Sequence, residues 1–291
     1  MKKIIFILAL FFLFIPSGHA FNASKFDSPE SIIVDPEEGS YYVSNINGDL
    51  AAKDGDGYIS KIDPTGKTVI QKFIGWKPEE SGLNAPKGLV IFGRNFFVAD
   101  IDTVKGFDKE TAKPAVVVDL SKLGAKFLND IAVDGKGFIY VSDTMANRIY
   151  KIDTNHHYET EIFIDSPELG MPNGLFVNPK SKHLIVVTYG SGKILEIDGA
   201  KKIHVLKRGF STLDGVDYDN EGNLYVSSFE KGEIYKISHY GRGTLATVLS
   251  GLTTPADISF DRRKNELLVP SMKGGTVATY SVKEIYKKNH S

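Results

Sequence analysis

The chain has 291 residues, with 35 Lys and Arg against 36 Asp and Glu, and it contains no cysteine. The formal net charge is therefore −1, and because the sequence has no basic run, we expect no nucleic-acid partner. The lack of cysteine excludes disulfides, a thiol nucleophile and a thiolate metal site.

The first 20 residues predict a secretory signal. Two lysines at positions 2 and 3 precede an apolar run over residues 4–15, and small residues then lead to Ala20, after which we expect cleavage. The run is shorter than the roughly 20 residues that span a bilayer, so a retained membrane anchor is the less favoured alternative. We therefore expect an exported protein, periplasmic or secreted, with a single domain over residues 21–291.

One sequence pattern recurs six times. Each copy has a variable position that is polar in five of the six, a small or acidic residue, a buried apolar run, a turn and a strand that often ends in Val-Ser or Val-Ala. The first position falls at residues 30, 87, 129, 173, 214 and 256, which are intervals of 57, 42, 44, 41 and 42. Further strand candidates between the copies bring each repeat to about four strands, which is typical of β-propeller blades. The sequence predicts an all-β fold, a six-bladed β-propeller with four-stranded blades around a central channel.

The two ends of the repeat array have features of their own. The long first interval predicts an insertion in the first blade, and its acidic, Gly-rich run resembles a calcium loop but lacks the distal bidentate Glu, so a polar turn is favoured. A propeller has to close its ring without an exposed edge. We expect residues 23–26 to supply the outer strand of the last blade and residues 282–288 to form a short terminal helix.

The residues at the entrance of each innermost strand are predicted to form a ring around the channel. In chain order this ring comprises Glu30, Lys87, Asn129, Asn173, Asp214 and Ala256. The next position forms a second ring of Ser31, Gly88, Asp130, Gly174, Gly215 and Asp257. Two carboxylates and two carboxamides of the first ring thus converge without His or Cys.

This donor set predicts a site for a hard divalent cation. Carboxylate and amide oxygens suit calcium, which accepts six to eight oxygens, better than magnesium, and the seven histidines include no ligand pair at helical spacing, which disfavours zinc. The predicted metal ligands are Glu30, Asn129, Asn173 and Asp214. The alternative is that these side chains only shape tight turns, which suits Asn173-Gly174 and Asp214-Gly215 better than it suits Glu30 and Asn129.

With these motifs the chain resembles the regucalcin/gluconolactonase family of six-bladed propellers, the senescence marker protein type. That family is related to diisopropyl fluorophosphatase and, more distantly, to the paraoxonases. The resemblance spans nearly the whole chain after the predicted signal and rests on Pro-Glu-Ser at 29–31, Asn-Asp at 129–130, Pro-Asn-Gly-Leu at 172–175, and Asp-Gly with Glu-Gly-Asn-Leu-Tyr-Val within 214–226. It implies that the four predicted ligands hold a catalytic divalent ion.

Departures from the family pattern bear on the substrate. Sugar-lactonase members carry an Arg two residues before the Asn-Asp pair, where this chain has Phe127, so we expect a more apolar site and disfavour an aldonolactone. No histidine falls at a blade entrance, which leaves the His-based schemes of the related branches without support. Lys87 has two interpretations: it pairs with Glu30 and weakens the metal site, or it attracts an anionic ligand.

Two functions follow as hypotheses. The leading one is a calcium-dependent hydrolase of a lactone or related ester, with Asp214 as general base or nucleophile and Asn129 orienting substrate or water. Asp130, Phe127 and Lys87 are the candidate substrate-binding residues. The second is a non-catalytic propeller that binds a ligand or a protein, favoured by the scaffold-like Asn-Arg-Ile at 147–149, in which a bound metal would only lock the blades. The favoured partner is a small-molecule substrate or ligand, and we expect a monomer with no stable membrane anchor.

Overall fold

A computed structural model describes residues 19–67, 69–75, 82–282 and 285. These residues form six four-stranded antiparallel sheets, which confirms the predicted six-bladed propeller. Residues 1–18 of the predicted signal and most of the predicted terminal helix lie outside the described residues. Within the described ranges, no helix has the length and apolar character needed to cross a membrane.

Each blade is a meander whose first strand is innermost, except that the last blade takes its outer strand from the N-terminal end. The closing strand is β1 (His19–Ser24). The first blade comprises β2 (Pro29–Val34), β3 (Tyr41–Asn45), β4 (Tyr58–Ile62) and β5 (Val69–Ile74), and the second comprises β6 (Pro86–Phe92), β7 (Asn95–Asp100), β8 (Thr103–Asp108) and β9 (Pro114–Asp119). The third blade comprises β10 (Leu128–Val133), β11 (Phe138–Asp143), β12 (Arg148–Asp153) and β13 (Glu159–Asp165). The strands of the last three blades are β14 (Pro172–Val177), β15 (Leu184–Thr188), β16 (Lys193–Ile197), β17 (Ile203–Arg208); β18 (Leu213–Tyr218), β19 (Leu224–Ser228), β20 (Glu233–Ile237), β21 (Leu245–Leu249); and β22 (Ser259–Asp261), β23 (Glu266–Ser271), β24 (Thr276–Ser281).

The N-terminal strand closes the ring. β1 pairs antiparallel with β24, with Asn22 opposite Ala278 and Ser24 opposite Thr276, so the last sheet has the order β1-β24-β23-β22. This pairing satisfies the backbone edge that β24 would otherwise expose. The prediction of closure by this segment is confirmed, but the strand runs from residue 19 to 24 rather than from 23 to 26.

The innermost strands of the first five blades share a β-bulge at the ring positions. In the first blade Pro29 lies opposite Asn45 and Ile32 lies opposite Val43, so β2 has one more residue than its partner between these pairs. The same shift occurs in β6, β10, β14 and β18. The bulge contains both ring residues of each blade. A β-bulge changes the direction in which side chains point, and here the first-ring side chains of these blades point into the channel.

Serines on the second strands satisfy the bulged backbone. Ser44, Ser142 and Ser227 each accept a hydrogen bond at their Oγ atom from the N–H of the second bulged residue, at 2.9, 2.9 and 2.7 Å. A buried N–H without an acceptor would cost about as much as a lost hydrogen bond. The Val-Ser ending of these repeats therefore supports the geometry of the channel entrance.

The predicted insertion of the first blade lies between β3 and β4, at residues 46–57. Its acidic side chains bind the loop's own backbone. Asp49 accepts a hydrogen bond from the N–H of Ala51 at 2.8 Å, and Asp54 accepts one from the N–H of Asp56 at 3.4 Å. These are the contacts of a polar turn.

Candidate metal centre

A cavity of about 300 Å³ lies at the end of the channel where the innermost strands begin. Lys87 and Phe127, two of the predicted substrate-binding residues, lie on its wall. Four further lining residues are the predicted cation ligands, which we call the oxygen floor: Glu30, Asn129, Asn173 and Asp214.

Each side chain of the oxygen floor has a buried oxygen without a donor. Among the side chains that the structure describes, these atoms are Glu30 Oε2, Asn129 Oδ1, Asn173 Oδ1 and Asp214 Oδ1. The four residues are at most 6% exposed. A buried polar atom left without a partner costs about 1–3 kcal/mol, and a ligand in contact with all four oxygens would offset that cost. Their chemistry fits a hard divalent cation.

The two carboxamides are oriented with their oxygens free. Asn129 Nδ2 donates to Thr144 Oγ1 at 3.1 Å, and Thr144 Oγ1 in turn donates to the carbonyl oxygen of Pro172 at 2.8 Å. The side chain of Asn173 hydrogen-bonds to the carboxylate of Asp214. Because these contacts engage the amide nitrogens, the carbonyl oxygens are the groups that Asn129 and Asn173 offer to a ligand.

Carboxamides make up half of the oxygen floor. Within the described ranges, no cluster of three or more His, Cys, Asp or Glu side chains is arranged to hold a metal. The floor combines just two carboxylates with two amides, so two negative charges face a doubly charged ion and the amides add neutral ligands. This composition is compatible with calcium and unlike a zinc site.

Ionising the two buried carboxyl groups of the floor costs free energy, and a bound cation would offset that cost. Burial raises the pKa of Glu30 well above its usual range, and the negative charges of Asp214 and Asp257 add to this effect. Burial also raises the pKa of Asp214 well above its usual range, and Asp257 adds to it. A bound divalent ion is the largest local charge in such a site and favours the ionised form of both groups.

Lys87 is buried beside the floor with its ammonium engaged elsewhere. Its Nζ atom donates to the carbonyl oxygens of Leu50 at 3.0 Å and Ala85 at 3.1 Å, and it lies 4.4 Å from the ring centroid of Phe127. Burial lowers the pKa of Lys87 to about 8, against the opposing charge of Glu30. Among the contacts of the described residues, none is an ion pair between Lys87 and Glu30. Lys87 ties the first-blade insertion to the second blade.

Asp130 lies one layer deeper than the floor. Its Oδ1 accepts from the N–H of Ile131 at 2.6 Å and its Oδ2 accepts from the N–H of Leu175 at 2.5 Å, which joins the third and fourth blades. A similar link joins the first and last blades, where Ser31 Oγ donates to Asp257 at 2.6 Å. The structure thus places Asp130, a predicted substrate-binding residue, between two blades rather than on the cavity wall.

A further ring of equivalent residues lies at the end of the channel where the cavity opens, and it was not predicted from the sequence. In each blade, the last residue of the second strand pairs with the residue that precedes the first-ring position. The next residue along the chain is the member of this further ring. The six members are Ile46, Ile101, Thr144, Tyr189, Phe229 and Met272. The four apolar or aromatic members that line the cavity are called the apolar collar: Ile46, Tyr189, Phe229 and Met272. Leu50, Phe127, Met145 and Met171 extend this wall outward. Comparing the position after the Val-Ser ending across the repeats would have found the ring.

We expect Thr144→Val to weaken calcium binding by about tenfold or more, the effect typical of losing a residue that orients a metal ligand. Valine has a similar shape but lacks the hydroxyl that holds the Asn129 amide. Thr144→Ser keeps the hydroxyl and is expected to retain the affinity. Calorimetric titration of both variants with calcium checks this, and equal affinities for the two would contradict a role of Thr144 in orienting Asn129.

Comparisons with known proteins show the fold. No family model matches the chain, and no curated protein matches it by sequence. Similar solved structures include a luciferin-regenerating enzyme, 17% identical with a TM-score of 0.67 over 89% of this chain and 93% of the other. A virginiamycin B lyase from Staphylococcus aureus is 13% identical with a TM-score of 0.61 over 90% and 98%. A protein of unknown function from Bacteroides thetaiotaomicron is 12% identical with a TM-score of 0.67 over 91% and 74%. At these identities the likeness establishes a six-bladed propeller and no narrower family.

Proposed function

We propose that this protein is an exported, calcium-dependent hydrolase that acts on a lactone or a related ester at the oxygen floor. The observation that carries the proposal is the convergence of four buried oxygens without donors among the described residues. They belong to the residues that the regucalcin/gluconolactonase resemblance assigns to a catalytic divalent ion. Calcium is favoured because the donors are all oxygens and include two neutral amides.

The residues of the floor have distinct roles in this proposal. When bound, a divalent cation would polarise the substrate carbonyl and stabilise the charge that develops on its oxygen. The carboxylate of Asp214 accepts the proton of the attacking water at the floor. Burial and the charge of Asp257 raise the pKa of this group, and a bound divalent ion would favour its ionised form, which is the form that accepts a proton. The Oδ1 atom of Asn129, held by the contact of its amide nitrogen with Thr144, orients substrate or water beside it.

The similar structures include enzymes but do not specify the reaction. One of them is a catalytically inactive histidine-to-alanine variant of virginiamycin B lyase bound to quinupristin. In the present chain, no histidine occurs among the described residues that line the cavity. The proposed chemistry therefore depends on Asp214, and a propeller fold by itself hosts many functions.

Calcium binding and ester hydrolysis together test the proposal. We expect protein treated with EDTA to bind about one calcium ion in a calorimetric titration and to hydrolyse a lactone or an aryl ester once calcium is restored. Binding without turnover of any lactone, aryl ester or phosphotriester would favour the alternative, a binding propeller with a structural metal. The absence of calcium binding by the intact floor would overturn the metal assignment.

A further inference from the structure

The mouth of the cavity is lined mainly by apolar and aromatic side chains, whereas the oxygen floor below it is polar. Register places Ile46, Tyr189, Phe229 and Met272 at equivalent positions, so four blades contribute apolar or aromatic surface at the same height of the channel. The rings of Tyr189 and Phe229 lie 6.4 Å apart at an interplanar angle of 57°. They provide an aromatic wall for a flat or aliphatic group.

The outer edge of the mouth is also apolar. Leu50 is 40% exposed and Met145 is 58% exposed, and both line the cavity. Met145, Met171 and Met272, three of the four methionines of the chain, lie on this wall. Unbranched, polarisable methionine side chains adapt to apolar ligands of different shapes.

Two polar side chains of the cavity that could have recognised a polyol, Thr144 and Lys87, are hydrogen-bonded within the protein. Thr144 is hydrogen-bonded to Asn129 and Pro172, and Lys87 donates to two backbone carbonyls. Lys273, which lines the mouth, has its Nζ atom 5.9 Å from the ring centroid of Phe229. Hydroxyl groups of a sugar would lose water against the apolar wall with few partners in exchange, which is unfavourable.

From this contrast we propose that the substrate carries an apolar acyl or aryl substituent, which the apolar collar binds while the ester group faces the oxygen floor. The inference rests on the proposed hydrolase function and deepens it by naming the class of substrate. Phe229 is the specificity-determining residue at the centre of this wall. The hydrolytic step is the ordinary one: water adds to the carbonyl, the ring C–O bond breaks, and a hydroxy acid is formed.

A matched pair of lactones tests the substrate class. δ-Decalactone and glucono-δ-lactone share the six-membered lactone ring but differ in a pentyl chain against hydroxyl groups. Each buried methylene contributes about a fourfold gain, so we expect kcat/KM for δ-decalactone to exceed that for glucono-δ-lactone by at least about 100-fold. Equal or reversed preference would overturn the proposal even if hydrolysis itself is observed.

A binding measurement separates this inference from the proposed reaction. The lactam analogue of δ-decalactone resists hydrolysis, and we expect calorimetry to show that it binds the calcium-loaded protein. Phe229→Ser is expected to weaken its binding by about tenfold or more while leaving calcium affinity unchanged. The matched control is Phe163→Ser, which changes a half-buried residue on the outer strand β13 and should leave lactam binding unaltered.

The possible outcomes are distinct. Lactam binding that depends on Phe229, without turnover of δ-decalactone, would refute the hydrolase and support the apolar ligand class. Turnover of glucono-δ-lactone with no lactam binding would support a hydrolase and refute the apolar class. Equal loss of lactam binding in Phe229→Ser and Phe163→Ser would show that the change acts through the fold and would overturn the role of Phe229.

Discussion

Asp214→Asn is expected to lower calcium affinity by at least about 100-fold, which corresponds to about 2.8 kcal/mol. The substitution keeps the shape of the side chain and its ability to accept from Asn173, but it removes one of the two negative charges of the oxygen floor. Asparagine leaves one charge, that of Glu30, to balance a doubly charged ion. Calorimetric titration of the EDTA-treated protein measures the loss directly.

The same substitution is expected to raise stability when calcium is absent. Burial and the charge of Asp257 raise the pKa of Asp214, so its ionised form is costly in the folded protein at neutral pH. Asp214→Asn relieves this cost, and we expect its melting temperature in EDTA to exceed that of the wild type by several degrees. In excess calcium the order should reverse, because ligand binding stabilises the wild type more.

Asp219→Asn is the matched control in the same blade. Asp219 is buried, its Oδ1 accepts from the N–H groups of Glu221 and Asn223, and its Oδ2 accepts from Asn223 Nδ2 and Tyr225 OH. A carboxamide has one oxygen fewer for these donors, so we expect a lower melting temperature both with and without calcium. If Asp214→Asn behaved like this control, or bound calcium as the wild type does, the assignment of Asp214 as a ligand would be wrong.

In EDTA the wild type should lose stability as the pH rises from about 5 to about 7.5. A carboxyl whose pKa is raised on folding holds its proton more tightly in the folded state than in the unfolded chain. Its stabilisation is therefore present at low pH and is lost as the pH rises through the folded pKa. Burial raises the pKa of Asp130 to about 7 and the pKa values of Glu30, Asp214 and Asp257 well above their usual range.

The other charged groups around the channel do not reverse this direction. Burial lowers the pKa of Lys87 to about 8, so its effect on stability has the opposite sign but is expressed above the stated window. Burial raises the pKa of Asp217, although its contact with Arg262 at 2.8 Å opposes the rise. The carboxylates therefore dominate between pH 5 and 7.5.

Thermal unfolding in EDTA and in calcium checks the pH dependence. We expect a fall of about 2–4 kcal/mol in EDTA, or roughly 5–10 °C in melting temperature, and a much smaller fall in calcium. Asp130→Asn should reduce the slope in EDTA while leaving all four oxygens of the floor in place. Stability that stayed constant or rose with pH in EDTA would contradict an uncompensated carboxylate cluster at the channel.

The blades were predictable because their signal is local and repeated. The recurrence of one motif at intervals of 41 to 44 residues, with a longer first interval, predicted six blades and an insertion, and both are present. Alternating and buried apolar runs predict strands wherever they occur, since side chains on a strand alternate between two faces. Ring closure was predicted from the rule that a propeller leaves no strand edge exposed, although the strand β1 begins at His19, earlier than predicted.

The members of the oxygen floor could also be named from the sequence, since repeated blades place equivalent residues around one axis. That these oxygens lack hydrogen-bond donors could not be predicted from the sequence. It depends on contacts such as those of Thr144 with Asn129 and of Asn173 with Asp214, which join residues of different strands or blades. Hydrogen-bond partners are set by distances in space, and the repeat pattern does not encode them.

The sequence by itself determined the propeller, the order of its blades and the set of oxygen-bearing residues at the channel entrance, because each of these depends on a periodic pattern along the chain. The tertiary structure alone decided that Asp130 is used between blades, that Lys87 holds backbone carbonyls, and that an apolar collar surrounds the mouth. These features arise where strands from different blades meet, and β-bulges and loop packing there set which side chains reach the cavity.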